Sequence, residues 1–178
     1  KGHKELRTDY ARFKTMLEAQ DHAARLSLNR GDDAALQFFN SAVERTDNAG
    51  RTLQRTMDRY DAAMQRYNAG QIRTRPSATA LQRDINAAEA QNDIVEAFRR
   101  TWGEHLKQEL RQSGDANSIV RAALTPEGQR RLTAVLGPER AREFLNTVSV
   151  MEARNQGLAL GLNAGGSDHA ALRFLDRA

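Results

Sequence analysis

The chain contains no cysteine, only three prolines and few aromatic residues, which make up 6 % of its 178 positions. Without cysteine it can form neither disulfides nor thiolate metal sites, and its redox compartment stays open. No apolar run approaches the roughly 20 residues that a membrane-spanning helix requires, and no secretory signal peptide is visible. The scarcity of proline favours helix throughout, because a helix interior tolerates proline least of all residues.

Apolar residues are also scarce, at 39 % of the chain, where globular domains usually hold about 45–50 %. Such a chain can bury a narrow seam rather than a thick core, which suits an elongated helical protein or one that completes its core with partners. The length fits one domain or a helical module of something larger. Because the first residue is lysine and not methionine, we expect a processed chain or a piece of a longer polypeptide.

Residue patterns typical of catalysis or metal binding are missing as well. The four histidines are scattered, and none has a second histidine or a carboxylate at ligand spacing on a common helix face. Gly165 and Gly166 lack the lysine and the glycine spacing of a phosphate-binding loop, and nothing marks a nucleophile. The aromatic pair Phe98 and Trp102 is best explained as core. We therefore predict a chain that is not an enzyme, with no cofactor and no metal.

What the chain does have is a long apolar stripe with helical spacing. In residues 33–68, apolar and aromatic side chains recur every three or four positions, the spacing of a coiled-coil or bundle seam. Residues 77–113 repeat this pattern after a short polar connector. We predict a long helical hairpin over residues 32–113. The first arm carries the candidate assembly seam, which consists of Leu36, Phe39, Val43, Leu53, Met57, Tyr60, Met64 and Tyr67.

The first arm of this hairpin has one weak stretch, the Thr-Asp-Asn-Ala-Gly of residues 46–50. Glycine costs about 1 kcal/mol relative to alanine inside a helix. Either the helix kinks there, or a neighbour approaches closely and needs the small residue. We expect the helix to continue and Gly50 to make a close contact.

The net charge of +4 comes almost entirely from arginine, with 23 arginines against four lysines. Residues 1–76 hold 14 basic and 10 acidic groups, whereas residues 77–178 hold 13 of each. A basic first half suits phosphates or an acidic partner, although acids interleave with the bases as on an ordinary solvated surface. Arg73 and Arg75, in the exposed connector, are candidate phosphate contacts, and a plain soluble turn is the simpler explanation for them.

The regions on either side of the hairpin are helical too. Residues 1–31 are predicted to form an N-terminal amphipathic helix, from about residue 5 to residue 29, with apolar positions at Leu6, Tyr10, Phe13, Leu17, Ala24 and Leu28. In residues 114–178 we predict a cluster of short helices with a Gly-rich C-terminal tail. Thr125 followed by proline and glutamate is a strong helix start, and Gly137 stops that helix. The predicted class is all-α, an elongated helical hairpin or coiled-coil-like bundle with a smaller cluster of short C-terminal helices.

A series of short motifs in residues 94–172 resembles a known family. In order they are FRRTWGEHLKQEL at 98–110, GDAN at 114–117, ALTPEGQRRL at 123–132, VLG at 135–137, MEARN at 151–155 and GGS at 165–167. This order is similar to a segment of the large internal virion proteins of short-tailed bacteriophages, the ejection proteins stored with the genome. Such proteins are often fused to a lytic transglycosylase, and no stretch here looks like that domain.

The resemblance implies a structural, non-catalytic component of a phage virion that assists genome delivery. Its partners would be copies of itself or other virion proteins (portal, tail and ejection proteins), with DNA and the host envelope as further candidates. It would reside in the capsid interior or the portal and tail region, and in the host envelope on ejection. Two alternatives stay open: a helical adaptor or scaffold that binds a protein partner, and an Arg-rich helical protein that binds nucleic acid.

Overall fold

The computed structural model describes residues 2–28, 33–112 and 116–159, and every element within them is an α-helix. The helices are α1 (Gly2–Arg25), α2 (Asp33–Asn68), α3 (Thr79–Gln112), α4 (Ala116–Leu124), α5 (Pro126–Leu136) and α6 (Pro138–Ala159). The predicted all-α class is confirmed, and the bounds of α2 are those expected from the stripe. Residues 29–32, just after the first helix, and the predicted C-terminal tail beyond residue 159 lie outside the described residues.

Local sequence signals account for several helix ends. After α2, Gly70 adopts a φ of 71°, and the N–H of Gln71 donates to the carbonyl of Arg66 at 2.9 Å. This is the hydrogen bond of a Schellman cap, which favours glycine. α5 begins after Thr125, as predicted, and the Thr125 hydroxyl accepts the N–H of Gly128 at 3.0 Å. Both ends therefore follow from residues visible in the sequence.

The end of α1 depends instead on residues far away in the chain. The helix stops at Arg25, earlier than predicted. The indole Nε1 of Trp102 donates to the carbonyl of Leu26 at 2.6 Å, and the guanidinium of Arg131 donates to the carbonyl of Ser27 at 2.7 Å. Because side chains from α3 and α5 bind these carbonyls, the turn after α1 is satisfied without a further helical turn.

The structure also corrects which face of α1 packs against the rest of the chain. Ala19 and Ala23 are fully buried, and Met16 packs against the core beside them. On the same side of the helix, the guanidinium of Arg12 pairs with the carboxylate of Asp93 on α3. The larger side chains of the predicted apolar face are exposed instead, by 70 % at Tyr10, 59 % at Phe13 and 44 % at Leu17. Small side chains let two helices approach closely, so the alanine face packs.

One hydrophobic core receives side chains from all six helices. Phe98 and Trp102 are fully buried in it, as predicted, together with Phe39 and Phe144. The Phe39 and Phe98 rings lie 4.9 Å apart between centroids, in a tilted arrangement that aromatic pairs favour. α4, α5 and α6 pack on one another and close the core from the C-terminal side.

α2 and α3 share the most extensive packing of any two helices in the described residues. Near the core, Phe39 of α2 meets Phe98 of α3. Farther along, the Thr56 hydroxyl donates to the Asp84 carboxylate at 2.8 Å. Later positions on α2 therefore meet earlier positions on α3.

Candidate functional site

The predicted seam divides into two parts with different surroundings, and the first part belongs to the core. Phe39 is fully buried, while Leu36 and Val43 are half-buried and pack against the core cluster. These three side chains stabilise the chain itself. Phe39 in particular presents no surface to a partner.

The second part of the seam lies in the distal segment, which we define as residues 44–93. Leu53, Tyr60, Met64 and Tyr67 are half-buried, and Met57 is 40 % exposed. Within this segment, all of which the structure describes, no apolar side chain is fully buried. α2 and α3 therefore cover each other's apolar stripes only in part, and a strip of apolar surface stays accessible along the segment.

The weak stretch of α2 is helical, but its glycine makes no close contact. The helix continues through residues 46–50, as predicted. The close approach predicted at Gly50 is wrong, because a Cβ added there would meet no atom within 4 Å. The hydroxyls of Thr46 and Thr52 donate to carbonyls one turn back, so these polar side chains are satisfied inside the helix. Gly50 is therefore an exposed helical position without a packing role in this chain.

One polar contact is buried in the distal segment. Asp84 is 8 % exposed and accepts hydrogen bonds from Thr56 at 2.8 Å and from Arg83 at 3.0 Å. The Thr56 hydrogen bond, with Arg83 as the second cause, holds the pKa of Asp84 below its ordinary value. The ionised carboxylate thus holds Asp84 of α3 beside Thr56 of α2. A polar contact of this kind can fix the register of two packed helices.

The candidate phosphate contacts Arg73 and Arg75 lie between α2 and α3 and are exposed. The connector of residues 69–78 contains no acidic side chain. In the surrounding residues 51–83 there are seven arginines and two aspartates, a local net charge of +5 that exceeds the +4 of the whole chain. The far end of the distal segment is therefore basic.

Sequence reasoning missed the most deeply buried charged side chain of the described residues, Arg131, which is 3 % exposed. Its guanidinium donates to the Ser27 carbonyl and also pairs with the Glu127 carboxylate. A glutamate four residues before an arginine on a helix was a visible sign of this pairing. Nothing in the residue pattern indicates that a carbonyl more than a hundred positions away completes the site.

The described part of the chain holds no cluster of the side chains that usually bind metals. No three His, Cys, Asp or Glu side chains come together there as metal ligands would. The prediction that no histidine has a carboxylate on its own helix face is wrong for His105, because the carboxylate of Glu109 lies 3.5 Å from its Nε2, one helical turn away. An open groove of about 370 Å³ lies between α2 and α5, with Asp33 and Arg130 as its charged residues.

No helix in the described residues is long and apolar enough to span a membrane. Comparisons with protein-family models, with curated proteins and with solved structures find no match to this chain. The chain's own residues are therefore the guide to its function, and the partly covered seam with its basic end is the most distinctive surface they form.

Proposed function

We propose that the chain is a structural, non-catalytic component of a phage virion, similar to the internal proteins that assist genome delivery. In this proposal α2 and α3 act as an elongated, coiled-coil-like hairpin, and its distal segment is an assembly surface. The order of short motifs in residues 94–172 supports the family. The partly covered seam supports the assembly role.

The observation that carries the proposal is the contrast in burial along α2. Phe39 is fully buried, whereas Met57, five turns farther on, is 40 % exposed. An apolar strip that runs along a helix pair and is rimmed by charges is typical of an interaction surface. Further copies of this chain, or other proteins of the virion, would bury the strip in the manner of a bundle.

A helical chain with these properties also suits passage through a narrow tail. It has no disulfide to break, and its distal segment is held mainly by contacts between neighbouring parts of one helix pair. Helical proteins rich in local contacts refold quickly. Partial unfolding in transit and reassembly in the host envelope would therefore be rapid.

The solution mass of the chain tests the assembly role, measured by light scattering at low and high salt. We expect an oligomer, and we expect Met57→Asp to lower its mass because a charge then lies on the strip. The unfolding midpoint of the variant monomer should change little, since Met57 is already partly solvated. Val150→Asp is the matched control, because Val150 is a helical apolar residue on α6 that is 61 % exposed.

An oligomer whose mass is the same for wild type and Met57→Asp would contradict the assembly role of the seam. A wild-type chain that stays monomeric would do so too, and would favour the adaptor alternative. Detection of the chain in purified virions tests the phage assignment separately, because a free adaptor would be absent from them.

A second candidate function is nucleic-acid binding, and the basic end of the distal segment favours it. Arg73 and Arg75 are exposed in a connector without acids. Each phosphate contact contributes about 0.9 to the slope of log affinity against log salt for duplex DNA. The double variant Arg73→Gln/Arg75→Gln should therefore lower the slope by nearly two, while Arg140→Gln/Arg142→Gln on α6 leaves it unchanged. Equal slopes for all three chains would exclude the connector as a phosphate site.

A further inference from the structure

α1 has a second apolar face that nothing in the described structure covers. Tyr10, Phe13 and Leu17 are exposed by 70 %, 59 % and 44 %. At about 100° per residue these three lie within about 60° of one another around the helix. Tyr10 and the fully buried Ala19 are nine residues apart, or about two and a half turns, so they point in opposite directions. α1 thus packs on the chain with its small face and presents its large one to the solvent.

A row of charges borders this exposed face along one side. Arg7, Lys14 and Asp21 follow each other at seven-residue intervals, about two helical turns each, and all three are exposed. The Lys14 ammonium lies 3.9 Å from the carboxylate of Glu18 on the same helix. In the described part of the chain, neither Arg7 nor Asp21 forms an ion pair. From Arg7 to Asp21 the row therefore runs from positive to negative charge, and the exposed Arg25 follows one turn beyond Asp21 at the end of α1.

We propose that this face pairs with the same face of a second copy, with the two α1 helices antiparallel about a two-fold axis. Each Phe13 then packs beside Leu17 of the other copy. In antiparallel helix pairs, different apolar positions of the two helices pack against each other in this way. In that register Arg7 of one copy lies level with Asp21 of the other, and the two-fold axis generates the contact twice. The positive end of this charge row meets the negative end of an identical row only when the two helices run in opposite directions. A second copy of the chain therefore fits this face.

At the centre of the proposed dimer two positive charges come close together, and a neighbouring carboxylate on each helix compensates them. Lys14 lies next to the axis and so approaches Lys14 of the second copy. Glu18, one turn along each helix, already lies beside Lys14 and compensates the charge. The pairing uses α1 alone and does not rest on the proposed function, whose assembly surface is the distal segment of α2 and α3.

Sedimentation equilibrium of the full chain tests the proposal through Phe13 and the charge row. Phe13→Glu should weaken the dimer at least tenfold, while Val150→Glu, on an exposed apolar residue of α6, should leave Kd unchanged. Arg7→Glu alone and Asp21→Arg alone should each weaken it about tenfold, because two ion pairs become two repulsive pairs. The double variant Arg7→Glu/Asp21→Arg should return Kd to within about threefold of wild type.

Disulfide trapping tests the direction of the pairing, since the natural chain has no cysteine to interfere. Lys14→Cys should oxidise to a covalent dimer with itself. Arg7→Cys should not, because the two Arg7 positions are about 21 Å apart along the axis at 1.5 Å per residue. A mixture of Arg7→Cys and Asp21→Cys chains should form the mixed dimer.

Four results would overturn the proposal. The first is a dimer of Arg7→Cys chains, which would mean parallel helices. The second is a wild-type chain that stays monomeric up to about 100 μM, where a dimer of micromolar Kd would be mostly assembled. The third is a monomer that binds phosphatidylcholine vesicles through Phe13, which would make a lipid surface the occupant. Loss of the dimer in Met57→Asp, with Phe13→Glu unaffected, would assign the association to the distal segment.

Discussion

The core end and the distal segment of the α2 and α3 helix pair have similar heptad-like sequences but very different surroundings. At the core end, Phe39 and Phe98 are fully buried because α1 and the C-terminal helices cover the pair. In the distal segment the same spacing of apolar residues leaves every one of them partly accessible. Periodicity therefore defines a helix face in both regions, and only the additional layer of helices turns that face into a core.

The sharpest test of this comparison is truncation of one large side chain in each region. Trp102→Ala removes a fully buried ring and leaves the Leu26 carbonyl without its donor, so we expect a loss of about 3–5 kcal/mol in the free energy of unfolding. Tyr60→Ala removes a half-buried ring from the distal segment and should cost about 1 kcal/mol. Urea denaturation monitored by circular dichroism measures both. Equal losses would show that the distal segment is as well covered as the core.

Two glycines, Gly128 on α5 beside the core and Gly50 in the distal segment, give a second comparison, because the same substitution should change stability in opposite directions. A Cβ at Gly128 would lie 2.1 Å from the carbonyl oxygen of Ala122, so Gly128→Ala should destabilise the chain by about 2–3 kcal/mol. A Cβ at Gly50 would meet nothing, so Gly50→Ala should stabilise it by about 1 kcal/mol through helix propensity. Thermal unfolding of the two variants checks both signs. A destabilising Gly50→Ala would mean that something contacts this face of α2.

The smallest expected effect concerns the buried polar contact of the distal segment. Thr56→Val removes the hydrogen bond that lowers the pKa of Asp84 most, so that pKa should rise towards its ordinary value. Thr52→Val is the control, because the Thr52 hydroxyl binds only its own helix. Carbon-detected titration of the Asp84 carboxyl by nuclear magnetic resonance would measure the change.

The same contact gives a pH dependence with a defined sign. Since the pKa of Asp84 is lower in the folded chain than in the unfolded chain, its contribution to stability is complete above the unfolded pKa. The contribution is lost as the pH falls through the window between the unfolded and the folded pKa. In Thr56→Val this window should narrow, so the variant should lose less of its remaining stability on acidification. An unchanged Asp84 pKa would mean that Arg83 alone sets it.

Sequence reasoning succeeded where structure depends on neighbouring residues. The bounds of α2, the glycine that ends it and the Thr125 cap all follow from backbone preferences within a few positions. The same reasoning failed for α1, because that helix carries two apolar faces and spacing cannot say which one packs. Alanines gave a weak hydrophobic signal there, yet their small size is what lets them face α3.

The candidate site, like the fold, could be predicted only where it depends on the local residue pattern. The stripe of residues from Leu53 to Tyr67 was visible as a pattern, but its partial exposure depends on where the other helices end. The buried role of Arg131 could not be foreseen among 23 arginines, because its carbonyl partner is brought to it by the whole fold. Long-range contacts of this kind also explain why α1 stops at residue 25 and not farther on.

The hydrogen bonds that anchor the turn after α1 have a consequence for the order in which the chain folds. Thr56 and Asp84 are 28 positions apart, whereas Trp102 and Leu26 are 76 apart and Arg131 and Ser27 are 104 apart. Closing a longer loop costs more chain entropy, so the distal helix pair meets before α1 docks. The distal segment, none of whose apolar side chains is fully buried, thus forms before α1 completes the core, and nascent chains would expose the apolar strip of residues 53–67 in the meantime.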